Sequence, residues 1–235
     1  MRLKQLSKLI IQQLLKGNFA AAGFFKYYDR WVNSLLPGHN SLQDRLPWLT
    51  FPAIDVLLKN TDKSKSVFEF GGGGSTLFFL DRAREVVTVE HDPEWFGYLQ
   101  KDIALAGNNN WTPLLKLPEL TENAAALDYK NPDHYYSADE QYKQYRFYNY
   151  ASAIDQFADG YFDVVLIDGR ARASCLKHAV KKVKKGGLLI MDNAERSYYL
   201  ANDYIASNHF KLLINSMAPV PFINFFSQTN IWVKQ

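Results

Sequence analysis

At 235 residues and 47% hydrophobic residues, the chain can bury one large core, and nothing in its composition requires two domains. The formal net charge of +3 is small and no block of Lys and Arg is dense, so we expect no nucleic-acid partner. The single cysteine excludes an internal disulfide framework and favours a cytoplasmic protein, and no apolar run is long enough to span a membrane.

Residues 1–60 are predicted to form helices that pack on the rest of the chain, an α/β domain over residues 61–235. An apolar stripe at helical spacing comprises Leu3, Leu6, Ile10 and Leu14. Such a stripe is typical of a helix packed on its own domain. Because Lys4, Lys8 and Lys16 lie elsewhere around the helix, the alternative is peripheral contact with a membrane or a partner chain.

The segment Val67–Thr76 reads VFEFGGGGST, a short apolar strand that runs into four glycines and then into a helical pattern. This arrangement turns bare backbone N–H groups and the positive end of a helix toward a nucleotide-like ligand. A Walker-type phosphate loop is excluded, because Gly74 is followed by Ser75 and not by lysine. The dinucleotide pattern G-x-G-x-x-G fails at Thr76 but stays open as the second choice, and a tight turn without a ligand is the remaining alternative.

The next predicted strand, VVTVE, ends at Glu90, which lies 19 residues beyond Gly71. A carboxylate at this place can accept two hydrogen bonds from a ribose diol, so Glu90 indicates a nucleoside ligand. His91 is expected at the edge of the same ligand. Alternatively, the acidic residues of this segment only cap the helix that begins at Pro93.

Strand and helix patterns alternate along the rest of the chain. Further strands are predicted at 111–117, 162–169, 188–193, 210–215 and 229–235. Helices are predicted at 93–107, 150–157, 175–187 and 195–206, the third of them ended by two glycines. This alternation favours an α/β fold with a doubly wound, mostly parallel sheet.

Residues 118–147 interrupt the alternation and are too long for a simple connection. The segment is rich in tyrosine and contains Tyr129, Tyr135, Tyr136, Tyr142 and Tyr145. Insertions of this length at the carboxyl edge of a sheet often form lids or substrate walls. An ordinary surface excursion is the alternative.

Polar residues follow the two strands predicted at 162–169 and 188–193. Asp168 closes the first strand, and Asp192 and Asn193 close the second. The carboxyl ends of parallel strands meet along one crevice, where carboxylate and amide oxygens suit a Mg²⁺ ion. Alternatively, Asp192 and Glu195 form a capping box, and Asp168 acts without a metal as a general base.

Three arginines, Arg170, Arg172 and Arg196, lie just after these strand ends. Each is expected to be a surface ion-pair partner. The alternative is a clamp on a carboxylate or phosphate of a substrate, because guanidinium groups bind such anions through two parallel hydrogen bonds.

The segments FEFGGGGSTL, VEHDPEW, FDVVLIDGRARASC and GGLLIMDNAER together resemble the class I methyltransferases that use S-adenosylmethionine (SAM). The resemblance covers about residues 47–235 and implies a seven-stranded sheet with an antiparallel last strand. It implies methyl transfer to an oxygen of a small molecule or glycan. It places SAM against Glu69, Gly71, Gly72, Gly73, Ser75, Thr76, Glu90, His91 and Asp168, although Ser75 stands where a third glycine is common.

The strand ends are also similar to those of the metal-dependent O-methyltransferases of the catechol and caffeoyl-CoA type. In that family an aspartate after the fourth strand and an Asp-Asn pair after the fifth hold the metal. The resemblance therefore implies Asp168, Asp192 and Asn193 as Mg²⁺ ligands, with Asp168 and Asp192 as the catalytic residues.

Two other functions stay open. A nicotinamide-dependent oxidoreductase or epimerase would need a Tyr-x-x-x-Lys pair or a similar base, which the segment from Tyr142 to Arg146 does not supply. The second alternative is a SAM-binding scaffold that transfers nothing.

Overall fold

The computed structural model describes residues 2–215 and 217–235. A sheet of seven strands forms its centre, in the order β3-β2-β1-β4-β5-β7-β6. The strands are β1 Ser66–Phe70, β2 Glu85–Glu90, β3 Trp111–Leu115, β4 Phe162–Ile167, β5 Val183–Met191, β6 Phe210–Ile214 and β7 Asn230–Lys234. Strand β7 runs antiparallel to both of its neighbours, β5 and β6, and the other pairs of neighbouring strands described in this sheet are parallel. This topology confirms the predicted doubly wound sheet with an antiparallel last strand.

The described residues form eight α-helices and several 3₁₀ turns; three of the helices precede β1. The helices are α1 Arg2–Leu15, α2 Tyr28–Ser34, α3 Phe51–Asn60, α4 Gly74–Arg82, α5 Pro93–Leu105, α6 Tyr148–Ala151, α7 Arg172–Lys182 and α8 Tyr204–Ser207. The 3₁₀ turns are Phe19–Tyr27, Ala124–Ala126, Pro132–His134, Glu140–Tyr142, Ser152–Gln156 and Ser197–Leu200. In the described part of the chain, none of the helices has the length and apolar character needed to cross a bilayer.

Two short antiparallel hairpins complete the structure. One pairs Glu119–Leu120 with Tyr145–Arg146 at the base of the insertion, and the other pairs Met217–Pro219 with Phe226–Gln228 before β7. The first hairpin brings the two ends of the tyrosine-rich insertion together.

The sheet separates two apolar layers, because successive side chains of a strand point to opposite faces. In β4, Val164 and Leu166 belong to one layer, while Val165 and Ile167 belong to the other. The first layer is covered by α3, α4 and the N-terminal helices, and the second by α7 and the segment that follows the insertion. Parallel strands covered on both faces are apolar throughout, which explains the continuous apolar pattern of β4.

The N-terminal helices share the first of these layers. Leu6 and Ile10 are buried in it, and the indole Nε1 of Trp31 donates a hydrogen bond to the carbonyl of Ile223 at 2.9 Å. The remaining residues of the predicted stripe are less enclosed, and Leu3 is 51% exposed. The helix therefore packs on the domain through a narrower face than the sequence pattern predicts.

Three predicted helices are wrong in extent; residues 150–157, predicted as one helix, form the end of α6 and the 3₁₀ turn Ser152–Gln156. Helix α7 ends at Lys182, and the two glycines that were expected to end it lie inside β5, where Gly186 has a φ of +77°. The pairing of β4 with β5 shifts there, from Val183 opposite Phe162 to Leu188 opposite Val164. The chain thus turns directly from helix to strand and accommodates the extra residues in a bulge. Residues 195–206, predicted as one helix, form a 3₁₀ turn and part of α8.

Substituting Gly74 by alanine should destabilise the fold. A Cβ at Gly74 would lie 2.2 Å from the carbonyl oxygen of Ser41 and 2.5 Å from that of Leu46, and backbone atoms cannot easily move aside. We expect the free energy of unfolding of Gly74→Ala to fall by about 1–3 kcal/mol. Urea unfolding followed by circular dichroism measures this change.

The matched control is Gly97→Ala in α5, where an added Cβ meets no atom within 4 Å. This variant should gain up to about 1 kcal/mol, because alanine favours a helix over glycine. Equal stabilities of the two variants would contradict the described packing of residues 41–46 on α4.

Candidate functional site

Three adjoining cavities lie along the carboxyl edge of the sheet. The glycine cavity has a volume of about 430 Å³ and is lined by Gly71, Gly72, Gly73, Glu90, His91 and Asp168 among others. The aspartate cavity, about 420 Å³, includes Trp48, Asp168, Arg172, Asp192, Asn193 and Arg196. The tyrosine cavity, about 350 Å³, includes Tyr129, Tyr136, Tyr198, Tyr199, Arg170 and Arg196. Each volume is in the range of small-molecule sites, and open α/β sheets bind ligands at this edge.

The turn between β1 and α4 can be built only with glycine at Gly71. This residue has a φ of +88°, and a Cβ on it would lie 3.0 Å from the carbonyl oxygen of Asp168. At Gly73, by contrast, a Cβ would meet no atom within 4 Å. The loop thus presents bare backbone to the cavity, which allows a ligand to approach it closely.

Glu69 lies behind this loop and does not line the cavity. It is fully buried, and its two carboxyl oxygens accept hydrogen bonds of 2.7 Å each from the hydroxyls of Ser75 and Thr88. Burial raises the pKa of Glu69 to about 7, against the opposing effect of these hydrogen bonds. Thr76 is also buried, and its hydroxyl accepts a bond from the N–H of Gly73 at 3.0 Å. Both residues therefore support the loop from within the protein.

Glu90 lies at the end of β2 and faces the glycine cavity. Its Oε1 accepts the N–H groups of His91 at 2.6 Å and Asp92 at 3.0 Å, while Oε2 accepts one bond, from the N–H of Gly72 at 3.0 Å. Burial opposes ionisation, but His91 and these hydrogen bonds lower the pKa of Glu90 below its usual range. The carboxylate is thus ionised, and Oε2 has room to accept a hydroxyl of a ligand.

His91 connects the end of β2 to the tyrosine-rich insertion. Its Nε2 lies 3.1 Å from the hydroxyl of Tyr142, and its ring packs edge-on against those of Tyr142, Phe147 and Tyr150. Tyr142 itself lines the glycine cavity. The insertion therefore forms a wall of this cavity.

Arg172, the first residue of α7, lies between the two aspartates. Its Nη2 is 3.0 Å from Oδ1 of Asp168, and its Nη1 is 3.9 Å from Oδ2 of Asp192. The same guanidinium donates to the carbonyls of Gly169 at 3.0 Å and Asp192 at 2.5 Å. Asp192 also accepts the hydroxyl of Thr229 at 2.8 Å. One buried cation therefore neutralises charge on both strand ends.

The predicted metal ligands lie close together, but their arrangement does not fit a metal ion. The guanidinium of Arg172 occupies the space between Asp168 and Asp192. The amide Nδ2 of Asn193 donates to Ser227 at 3.0 Å, in the hairpin before β7. Within residues 2–215 and 217–235, no three His, Cys, Asp or Glu side chains are grouped so that they could hold a metal.

Burial raises the pKa of both aspartates. For Asp168 the effect of burial is opposed by Arg172 and Arg170. For Asp192, burial and the negative charge of Asp168 raise the pKa to about 7. Asp192 does not cap a helix, because its carboxylate contacts Thr229 and the N–H of Ala194 is bound to the carbonyl of Gln228. The capping-box interpretation is therefore wrong.

The role of Arg172 was missed, because the sequence alone favours a surface ion pair. Its burial leaves 9% of the residue exposed, and its contacts come from two strand ends that are distant along the chain. Asp168 and Arg172 are four residues apart, but Asp168 lies before the first turn of α7, so helical spacing does not predict their ion pair. Trp48, which lines both the glycine and aspartate cavities, is likewise not indicated by any pattern in the sequence.

Replacing Glu69 by glutamine should flatten the dependence of stability on pH. The folded-state pKa is raised from 4.5 to about 7, so the stability that the protonated group contributes is present below 4.5 and is lost as pH rises to about 7. We expect wild type to lose about 3 kcal/mol more than Glu69→Gln between roughly pH 4 and pH 8. Urea unfolding at several pH values measures the difference, with the exposed Glu140→Gln as the control. Parallel profiles of wild type and Glu69→Gln would contradict the assignment.

No family model matches the chain, and no curated protein matches it by sequence. Solved structures share its fold at low identity. A candidate methyltransferase of Streptococcus mutans in complex with SAH has a TM-score of 0.52 at 12% identity, over 77% of this chain and 94% of that chain. A candidate O-methyltransferase of Klebsiella pneumoniae has a TM-score of 0.52 at 16% identity, over 88% and 96%.

A third structure, precorrin 8W decarboxylase of Methanobacterium thermoautotrophicum, has a TM-score of 0.50 at 15% identity, over 86% of this chain and 98% of that chain. This chain has seven strands in the order β3-β2-β1-β4-β5-β7-β6, with β7 antiparallel to its neighbours. The chain therefore has the Rossmann-like fold of the class I SAM-dependent methyltransferases.

Proposed function

We propose that the protein is a SAM-dependent methyltransferase that acts on an oxygen of a small molecule or glycan. The observation that supports this most is the glycine cavity, which joins a bare glycine loop to the ionised Glu90 and opens at Asp168 into the aspartate cavity. A donor and an acceptor can thus bind side by side. The acceptor class, the lack of a nucleic-acid partner and the cytoplasmic location stay predictions.

The glycine cavity suits the nucleoside part of SAM. Oε2 of Glu90 is placed to accept a ribose hydroxyl, because it accepts only one bond from the protein. The loop from Gly71 to Gly73 allows close approach of the ligand to the backbone. The Streptococcus mutans protein of the same fold binds SAH, the demethylated product of SAM. When bound, SAM supplies a methyl group already activated by its positively charged sulfur.

Asp168 is the residue that we assign to the acceptor. It lines both the glycine and the aspartate cavity, so it lies where a methyl donor and an acceptor hydroxyl would meet. Its raised pKa suits a group that takes the hydroxyl proton while the oxygen bonds to the methyl carbon. Arg172 holds this carboxylate in place at 3.0 Å and acts as a positioning residue. Positioning supplies much of the rate in a displacement of this kind.

Protein side chains take the place of the predicted Mg²⁺ in this proposal. Arg172 already neutralises Asp168 and Asp192, so these carboxylates have little capacity left for a cation. We therefore assign the orientation of the acceptor to the side chains that line the aspartate and tyrosine cavities.

The nicotinamide alternative receives no support from the insertion. Lys143, which follows Tyr142 directly, is exposed and forms an ion pair with Glu140 at the surface. It is therefore not placed to assist a hydride transfer in the glycine cavity.

Gly73→Ala should keep the fold and lose cofactor affinity. The added methyl group meets no protein atom within 4 Å, so it would stand in open space at the cavity wall, where a ligand would otherwise lie. We expect the Kd for SAM to rise at least about tenfold, equivalent to about 1.4 kcal/mol. Isothermal titration calorimetry with SAM, SAH and NAD measures this.

Gly97→Ala, the same change outside the cavity, is the control and should bind SAM as wild type does. Unchanged SAM affinity in Gly73→Ala would contradict the placement of the cofactor. Tight binding of NAD by the wild type without binding of SAM would overturn the proposed function.

Asp168→Asn should separate catalysis from cofactor binding. The substitution keeps the shape of the side chain but removes the group that takes the proton. We expect SAM affinity to change by less than about threefold and the rate of SAH formation to fall by about a hundredfold or more. The SAM affinity and the rate of SAH formation are both measured with an acceptor that wild type methylates. The control is Asp159→Asn, at an exposed aspartate, which should behave as wild type does.

A rate in Asp168→Asn equal to that of wild type would contradict the role of Asp168. Binding of SAM by wild type without SAH formation for any hydroxylated metabolite or glycan would favour the scaffold.

A further inference from the structure

The tyrosine cavity adjoins both of the other cavities. It shares Gly169 and Arg170 with the glycine cavity, and Arg172 and Arg196 with the aspartate cavity. A ligand that fills it can therefore extend toward Asp168. The proposed reaction assigns this space of about 350 Å³ to the acceptor but does not name the chemical group that it recognises.

The arginines of the tyrosine cavity differ in their partners. Arg170 is paired with Asp139 at 3.1 Å, and Arg172 with Asp168 at 3.0 Å. Arg196 donates to the hydroxyl of Tyr199 at 3.1 Å and forms no ion pair with any residue that the structure describes. Among the three arginines that line the cavity, Arg196 is therefore the one without a carboxylate partner in the described part of the chain.

The neighbouring acid, Glu195, does not compensate this charge by direct contact. Its Oε2 accepts the N–H of Gln228 at 3.1 Å and lies 3.4 Å from the hydroxyl of Ser227 in the hairpin before β7. Although Arg170 pairs with Asp139 through Nη2, its Nε is buried and finds no acceptor among the described residues. A guanidinium without a carboxylate partner at a cavity, as at Arg196, favours a bound oxyanion.

Aromatic rings form the other wall of the cavity. The rings of Tyr129 and Tyr198 meet edge to face at 4.9 Å, and those of Tyr198 and Tyr199 at 4.6 Å. Tyr136 donates its hydroxyl to the carbonyl of Lys143 at 2.7 Å, which holds this ring at the cavity. Tyrosines combine a flat apolar surface with polar edges, so they suit a sugar or aromatic ring.

We propose that the tyrosine cavity binds the acceptor through a carboxylate on its ring, with Arg196 as the recognising cation. The ring lies among the tyrosines, and the hydroxyl to be methylated extends toward Asp168. The substrate class is therefore a hydroxylated ring acid, either an aromatic acid or a uronic acid. This inference rests on the proposed methyltransferase function for its biological meaning, but the carboxylate site can be tested without the cofactor.

The test compares acids with their neutral counterparts in ligand-detected NMR titrations. Benzoate is paired with benzyl alcohol, and glucuronate with glucose, each on the protein alone and on the protein saturated with SAH. We expect at least one acid to bind at least about tenfold more tightly than its neutral counterpart. The pair that shows the preference identifies the ring as aromatic or sugar.

Arg196→Gln should abolish this preference, because glutamine keeps a polar side chain but removes the charge. Arg196 is exposed, so its replacement is expected to spare the fold. The control is Arg84→Gln, at an exposed arginine that pairs with Glu85 at the start of β2, and it should retain the preference.

Equal binding of acids and neutral compounds by wild type would overturn the inference, as would an unchanged preference in Arg196→Gln. A preference for acids in the absence of SAH, together with a failure to bind SAM or SAH, would uphold the carboxylate site and overturn the methyltransferase function. Binding of SAH without any preference for acids would overturn the carboxylate site and leave the methyltransferase function in place.

Discussion

The guanidinium of Arg172 holds together the ends of the two strands on which the site is built. It contacts the carboxylate of Asp168 after β4, and both the carbonyl and the carboxylate of Asp192 after β5. Burying two carboxylates side by side is costly unless a cation accompanies them. Because the three cavities meet around Asp168 and Arg172, this ion-pair network defines the boundary between the donor and acceptor spaces.

The mostly parallel sheet could be predicted because its central strands are buried on both faces. Strand β4 is apolar at five of its six positions, and β1 is apolar at all but Ser66 and Glu69; such runs are recognisable without knowledge of the packing. The start of β5 could not be predicted, because Lys184, Lys185 and the glycines of its bulge are typical of the end of a helix. Only the pairing with β4 shows that these residues extend the strand.

At the site, the sequence could identify the edge of the sheet but not the partner of each side chain. The predicted residues Glu90 and Asp168 do line the glycine cavity, whereas Glu69 is enclosed by the hydroxyls of Ser75 and Thr88. The pattern of a strand does not distinguish an acidic residue that faces a ligand from an acidic residue that faces the core. The environment of Arg172 depends on contacts between distant segments, and periodicity carries no information about them.

The contact of Gly74 with the carbonyls of Ser41 and Leu46 makes the N-terminal region an integral part of the ligand cleft. Trp48, in the same region, borders two of the cavities. Removal of residues 1–60 to isolate the sheet would therefore remove one wall of the cleft and expose the apolar layer that these residues cover. Residues 1–60 are thus a structural part of the cleft, and fragments that lack them would be unsuitable for binding studies.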